Sequence, residues 1–229
     1  MAGDEQYERY RRALAGERLP AALVDLDALD ANVDRLVAPI RAAGKRLRVA
    51  TKSLRCPELI DHVLERAGQT AIGLMTYSAA ETAWLAERGA RDLLLAYPTL
   101  RDADLVAAAN RHATAAIAID AAEHVEVLAA AAARAGATVP VVIDVDMSYR
   151  PLGRGPHLGV RRSPLRSADD VVALARAIAG RAGLRFHGVL GYEAQIAGLG
   201  DAAPAQRAQN AVVRAIKARS APHVLALRR

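Results

Sequence analysis

The sequence predicts an α/β protein of the (β/α)8 TIM-barrel type, with about six βα units present. Three observations carry this. Short apolar strands alternate with amphipathic helical patterns from residue 47 onward, the repeat expected of parallel strands joined by crossover helices. No GxGxxG follows the first strand and no GxxxxGK[ST] occurs, which weakens the nucleotide-binding open-sheet alternative. Reactive side chains recur at the C-terminal ends of successive strands, as in a barrel where those ends share one mouth. An open doubly wound sheet would instead spread them along an edge.

The elements follow in order. Residues 1–18 read as an N-terminal helical extension, and 19–229 as a partial barrel domain. In LPAALVDLDAL (19–29), Leu23, Val24 and Leu26 are strand-like and Asp27 is placed to cap the next helix. That helix carries Leu29, Val33, Leu36, Val37 and Ile40 at helical spacing and stops at Gly44. RLRVATK is the first barrel strand, and PELIDHVLERAG is a helix with proline in its first turn. TAIGLMTY is a strand, and Ser78 with Glu81 opens SAAETAWLAERG as a capping box. RDLLLAYP, TAAIAID, TVPVVIDVD and LRFHGVLGYE are the remaining strands. Their helices are LRDADLVAAANRH, AAEHVEVLAAAAARAG, SADDVVALARAIAG and AAPAQRAQNAVVRAIKARS (202–220). The strands are continuously apolar and are expected to be buried on both faces.

Composition narrows the function. With 229 residues, 52% of them hydrophobic, the chain can bury a sizeable core. No apolar run reaches membrane-spanning length, and no secretory apolar region follows the charged MAGDEQYERYRR. A cytoplasmic protein, without membrane partners, is the simplest reading. The formal charge is +6, yet the arginines are scattered and aromatics are only 3%, poor material for nucleic-acid stacking. A basic pocket for an anionic small molecule accounts for part of the charge. The single cysteine, Cys56, forms no internal disulfide and reads as structural.

Lys52 is one of three lysines in the chain. At the inner end of a barrel strand, a lysine loses water, which lowers its pKa and frees the amine to attack carbonyls. A solvated strand-end lysine is the alternative. Tyr77, Tyr97 and Tyr192 end the second, third and sixth strands, where a phenol can stack on a planar ring or pass a proton. Packing at the barrel top is their alternative reading. Tyr192 stands out because Glu193 and Gln195 follow it. Asp120 ends the fourth strand. Asp144 and Asp146 share one face of the fifth, but no matching carboxylate pair supports glycoside hydrolysis. Among Arg150, Arg154, Arg161 and Arg162, one is placed to hold an anionic oxygen and others to pair with Asp144 or Asp146. His157 is a candidate acid or base. His62, His112 and His124 fall on helices away from the site, and His187, inside a strand, reads as core. No HExxH or Cys/His spacing supports a zinc site.

Taken together, LVDLDALDANV, LRVATKSLRCPEL, YSAAETAWLAERG, DLLLAYPT, IDVDMSYR, HLGVRRSPL and GVLGYEAQIAGL resemble the N-terminal domain of the alanine-racemase-like, fold-type III pyridoxal-phosphate enzymes. The resemblance is closest to the amino acid deaminase/aldolase branch, related to D-threonine aldolases and D-serine dehydratases. It implies a barrel followed by a mostly β C-terminal domain, usually as a homodimer, with pyridoxal 5'-phosphate as cofactor. Lys52 then matches the lysine that forms the internal aldimine, and Arg150 resembles the arginine near the cofactor ring oxygen. Tyr192 takes the place where relatives set a residue against the cofactor. Tyr77 joins the cofactor-binding set, and His157, Glu193 and Gln195 are substrate or loop candidates. The family's asparagine and tyrosine after the lysine are replaced by KSLRCP, and DVDMSYRPLG carries an extra residue before its arginine. Those departures point away from plain alanine racemase.

The implied activity is a lyase, deaminase or aldolase acting on a small β-hydroxy D-amino acid. Amino acid racemase and a non-catalytic pyridoxal-phosphate homeostasis protein are the alternatives. In the aldolase and dehydratase relatives a divalent metal assists, through ligands mainly in the C-terminal domain, and none is assigned to this segment. Six units against eight, with an unfinished PHVLALRR at the end, lead to the expectation of a truncated barrel, inactive alone or a weak cofactor binder.

Overall fold

A computed structural model describes residues 2–148, 150, 157, 159–194 and 211. Their strands form one six-stranded sheet in the order β1-β2-β3-β4-β5-β6. These are β1 Leu47–Ala50, β2 Ala71–Thr76, β3 Asp92–Leu95, β4 Thr114–Ile119, β5 Val139–Val145 and β6 Leu184–Gly191. Every pairing from β2 to β6 is parallel. The order never reverses, so there is no switch point of the doubly wound kind, and the winding is that of a TIM barrel. The helix expected at 202–220, like Arg154 and Gln195, lies outside the described residues, Ala211 apart. No helix among the described residues is long and apolar enough to cross a membrane.

The chain forms two compact units. One comprises Met1–Arg48 with Cys56–Ile72, and the other Val49–Arg55 with the remainder. In the first, α1 (Ala2–Ala13) is tied to the start of α2 (Leu26–Ala42). Tyr10 Oη donates to Asp25 Oδ2 at 2.7 Å, and Arg9 pairs with Asp25 and Asp27. Asp25, not Asp27, caps α2, its Oδ1 accepting from the Ala28 N–H at 3.1 Å. The expected strand around Leu23 and Val24 is absent: the segment is irregular and both side chains are exposed. A strand needs a partner edge for its backbone groups, and a capping aspartate immediately before Leu26 starts the helix instead. The helix α4 (Pro57–Ala67), with proline in its first turn as expected, packs on α2. Val33, Val37, Ile60 and Val63 are buried, and His62 and Arg66 pair with Asp30 and Asp34.

In the second unit, α5 (Ala79–Glu87), α6 (Ala103–Ala109), α7 (Ala122–Ala135) and α8 (Ala168–Ala179) follow β2, β3, β4 and β5. Ile117, Ile119, Val139, Val141, Ile143 and Val145 form one core with Val106, Leu128, Leu174 and Ile178. Burial on both faces holds for β5, whose seven residues are all buried, and nearly so for β4. It fails elsewhere. β2 and β3 show partial alternation, and β6 is largely exposed, including Phe186, His187 and Val189. His187 is exposed rather than core, because β6 has a strand neighbour on one side only among the described residues. Gly73 (φ 120°) is required where β2 meets β3, since a Cβ there would lie 2.1 Å from the Asp92 carbonyl oxygen.

Candidate active site

The C-terminal ends of β1, β2, β3 and β6 line one cavity of about 150 Å3. Lys52 lies two residues past β1, in a one-turn helix α3 (Thr51–Leu54), so the strand itself stops at Ala50. This turn is fixed from within the unit: Thr51 is buried and its Oγ1 donates to the Met75 carbonyl at 3.3 Å. Lys52 reaches the cavity with its side chain exposed, rather than desolvated as a closed barrel mouth would leave it. Tyr77 follows β2 directly, and its backbone N–H donates to Glu81 Oε2 at 3.2 Å. Ser78 Oγ meanwhile accepts from the Glu81 N–H at 3.2 Å. The expected capping box is therefore half formed, with its return bond displaced onto Tyr77. Arg55 covers the Tyr77 ring, 5.4 Å from its centroid.

Tyr97, two residues past β3, and Tyr192, next to the end of β6, complete an aromatic lining. Tyr77, Tyr97 and Tyr192 are 39–44% exposed. Glu193 lies next to Tyr192, half-buried, and is not among the lining residues. Gly191 belongs to the wall, where a Cβ would meet Met147 Cγ at 2.8 Å.

The cation of this cavity, beside Lys52, is Arg162 from the loop between β5 and α8. Its Nε donates to Asp144 Oδ2 at 2.5 Å and its Nη2 donates to the Ala96 carbonyl. The guanidinium carbon sits 4.7 Å from the Tyr97 centroid and 5.8 Å from that of Tyr192, within cation–π range of both. Asp144 is 2% exposed, and its Oδ1 has no hydrogen-bond partner among the described residues. Burial pushes its carboxyl above the ordinary value. Arg162 pulls it back, while Asp120 and Asp146 push it further up. For Arg162, burial acts downward, but Asp144 and then Tyr97 outweigh it and hold the guanidinium firmly protonated.

Arg150 pairs with Asp146, its Nη2 donating to Oδ2 at 3.1 Å, and is not among the lining residues. Asp146 acts as a loop anchor. Its Oδ1 accepts from the Ser148 N–H at 2.8 Å, its own N–H donates to the Leu165 carbonyl at 2.9 Å, and Arg166 lies 3.8 Å away. His157 is half-buried outside the cavity lining, its Nε2 without a hydrogen-bond partner among the described residues. His124 sits nearer the strand ends than a helical histidine promised, 3.3 Å from the Asp120 carboxylate at the end of β4. Arg162 is one of the four arginines, with Arg150, Arg154 and Arg161, that the sequence sets after the fifth strand. The adjacent Arg161 is exposed, and only the path of the loop tells the two apart.

An amine, three exposed phenols and a guanidinium around one cavity suit a planar aromatic aldehyde bearing an anionic group. The profile of the alanine racemase N-terminal domain matches residues 24–227. The chain belongs to this family. Alanine racemase N-terminal domains have the fold of the fold-type III pyridoxal-phosphate enzymes. Among solved structures, D-threonine aldolase from Filomicrobium marinum is similar with a TM-score of 0.70 and 24% identity, over 92% of this chain and 53% of that one. D-threo-3-hydroxyaspartate dehydratase from Delftia sp. HT23 gives a TM-score of 0.64 at 21% identity, over 90% and 52%. A 3-hydroxy-D-aspartate aldolase of Paracoccus denitrificans is 23% identical over 184 residues, which is 79% of this chain and 44% of the relative. The chain thus spans about half the length of the relatives it matches.

Proposed function

We propose that the cavity binds pyridoxal 5'-phosphate and that the chain carries the cofactor-binding domain of a lyase, an aldolase or a deaminating dehydratase. The substrate class is a small β-hydroxy D-amino acid. The observation that carries the reading is Lys52, the one primary amine among the described residues lining a cavity walled by Tyr77, Tyr97 and Tyr192. Membership of the alanine racemase N-terminal domain family supports the cofactor. Similarity to proteins described as D-threonine aldolase and D-threo-3-hydroxyaspartate dehydratase supports the substrate class. A racemase reading is the second. It draws on the similarity to alanine racemase of Streptomyces lavendulae, at a lower TM-score of 0.52.

The residues fit such a group. Lys52 would hold its aldehyde covalently, the tyrosine rings would flank its planar ring, and Arg162 would face an anionic oxygen. When bound, the cofactor supplies an electron sink for carbanion chemistry. The chain's own part is to orient, exclude water and move protons. Lys52 would supply the nucleophilic amine toward that aldehyde and could also hold or move a proton at its Nζ. Tyr192 and Tyr77 are acid–base and stacking candidates on the cavity wall. Among the described residues no cluster of His, Cys, Asp and Glu could hold a metal ion, and no step here passes through one. A cytoplasmic homodimer is the expected setting of the whole protein.

The test is an absorbance titration of the chain with pyridoxal 5'-phosphate. Borohydride reduction, peptide mapping and the Lys52→Ala variant accompany it. A visible band lost in Lys52→Ala, with the reduced adduct on Lys52, is the expected result. An adduct on Lys45 or Lys217, or no band at all, overturns the reading. Chiral analysis of products from the whole protein separates lyase from racemase.

A further inference from the structure

Asp144 stands apart from the other acidic groups of the unit. Asp146 has three hydrogen-bonded or ionic partners, and Asp120 has His124. Asp144 is as deeply buried as Asp146, yet among the described residues one of its oxygens has no partner and the other has only Arg162. A buried carboxylate with half its acceptor capacity unused is costly. A fold that needed only packing at the end of β5 would be served by an apolar residue, as at Val145 beside it.

The geometry around Arg162 shows what this carboxylate does. Arg162 comes from a distant loop, yet its guanidinium is held at three kinds of contact. Asp144 takes Nε, the Ala96 carbonyl takes Nη2, and the Tyr97 and Tyr192 rings flank the carbon. Two edges of the planar fork are therefore pinned, Tyr97 also acts on it, and among the described residues Asp144 is its one ionic partner. The guanidinium lines the cavity in that orientation. A planar fork pinned on two sides loses little further freedom when it receives an anion.

We propose that Asp144 is a positioning residue of the cavity, fixing the Arg162 guanidinium between Tyr97 and Tyr192 so that its remaining N–H edge receives an anionic oxygen of the occupant. The inference rests on the functional reading above only for who that occupant is. The oxygen can come from a phosphate or from a carboxylate, since Arg162 recognises both by the same charge-assisted bond. The hold depends on the ionised carboxyl. Burial, Asp120 and Asp146 oppose that form, so acidification releases Arg162 early. The groups facing this pair are Asp120 with His124 from the end of β4, Asp146 with Arg150 and Arg166, and Tyr97.

The experiment uses the 229-residue chain without cofactor and follows the arginine Nε–H resonances by nitrogen-15 NMR, with Arg162 assigned through Arg162→Lys. Sulfate stands in for phosphate, and acetate for a substrate carboxylate. In the wild-type chain the Arg162 resonance is expected to be slow-exchanging and to move on titration with one of the two. Movement with sulfate alone identifies a phosphate-type source, and movement with acetate alone a carboxylate. Asp144→Asn should shift that resonance before any anion is added and weaken the response about tenfold. Repeating the sulfate series at falling pH should abolish the response in wild type while leaving the weak response of Asp144→Asn flat. A merely structural carboxylate would not couple anion response to pH in this way. The idea is overturned if neither anion moves the resonance, or if Asp144→Asn leaves it unmoved. Tighter sulfate binding in Asp144→Asn or at low pH would also overturn it, showing Asp144 to be only a neutralising charge. None of these outcomes depends on whether Lys52 reacts with an aldehyde.

Discussion

Replacing Arg162 with methionine should destabilise the fold in a strongly pH-dependent way. Methionine keeps the flexible apolar stem, so the main loss is the charge that faces Asp144. Asp144 is 2% exposed and would then have neither oxygen paired among the described residues. Breaking a buried ion pair by removing one partner costs about 3–5 kcal/mol. The carboxyl can escape by taking a proton, and this sets a ceiling. From an ordinary value of 3.8, protonation at pH 7 costs about 4 kcal/mol, at about 1.4 kcal/mol per pH unit. At pH 5 the ceiling falls to about 2 kcal/mol by the same rule. The sign follows from linkage. A carboxyl raised by burial contributes stability that is full below 3.8 and is lost as pH rises through its folded value. Without Arg162 that folded value rises further, so the loss extends toward neutrality. Urea denaturation of wild type, Arg162→Met and the double variant Arg162→Met/Asp144→Asn at pH 5 and pH 7 measures this. The single variant should lose stability at pH 7, recover much of it at pH 5, and be rescued at pH 7 by Asp144→Asn. A deficit equal at both pH values, or no rescue by the second substitution, would refute the reasoning and leave packing as the cause.

Further substitutions test other parts of the argument. Gly73→Ala places a Cβ 2.1 Å from the Asp92 carbonyl oxygen at φ 120°. It should cost about 3 kcal/mol or more, visible as a lowered thermal midpoint, whereas Gly89→Ala meets nothing within 4 Å and bears only its backbone strain. Ser167→Ala removes the side-chain acceptor of a complete capping box on α8 and should cost about 1 kcal/mol in urea denaturation. Gly191→Ala drives a methyl toward Met147 at the cavity wall, so aldehyde affinity measured by absorbance should fall more than stability does. Equal losses in both would place Gly191 in the fold rather than in the site.

Much of this protein is legible in local sequence because its signals are local. Pro57 in the first turn of α4, Ser78 before α5 and Gly136 after α7 mark helix ends that the structure reproduces. The apolar runs name the strands, and the alternation of strand and helix names the class. The strand ends bring Lys52, Tyr77, Tyr97 and Tyr192 to one cavity, the last three because the parallel strands β2 to β6 all point the same way. What local signals leave open is anything decided by a partner far along the chain. Leu23 and Val24 look like a strand, but no register supplies an edge and Asp25 starts a helix. Phe186 and His187 have strand-core chemistry, yet their place in the sheet order leaves them exposed.

The arginines show the division most clearly. Sequence alone determines that several follow β5 and that two aspartates await them, since charge and spacing are written in residues 144–162. It cannot determine which arginine meets which aspartate, because a long loop can return in many ways. Tertiary structure sends Arg150 to Asp146, four residues away, and brings Arg162 back across 18 residues to Asp144 and across 66 to the Ala96 carbonyl. That pairing follows from burial. Asp144 sits inside the barrel end of β5, where a guanidinium reaches it only by entering the cavity between two tyrosine rings.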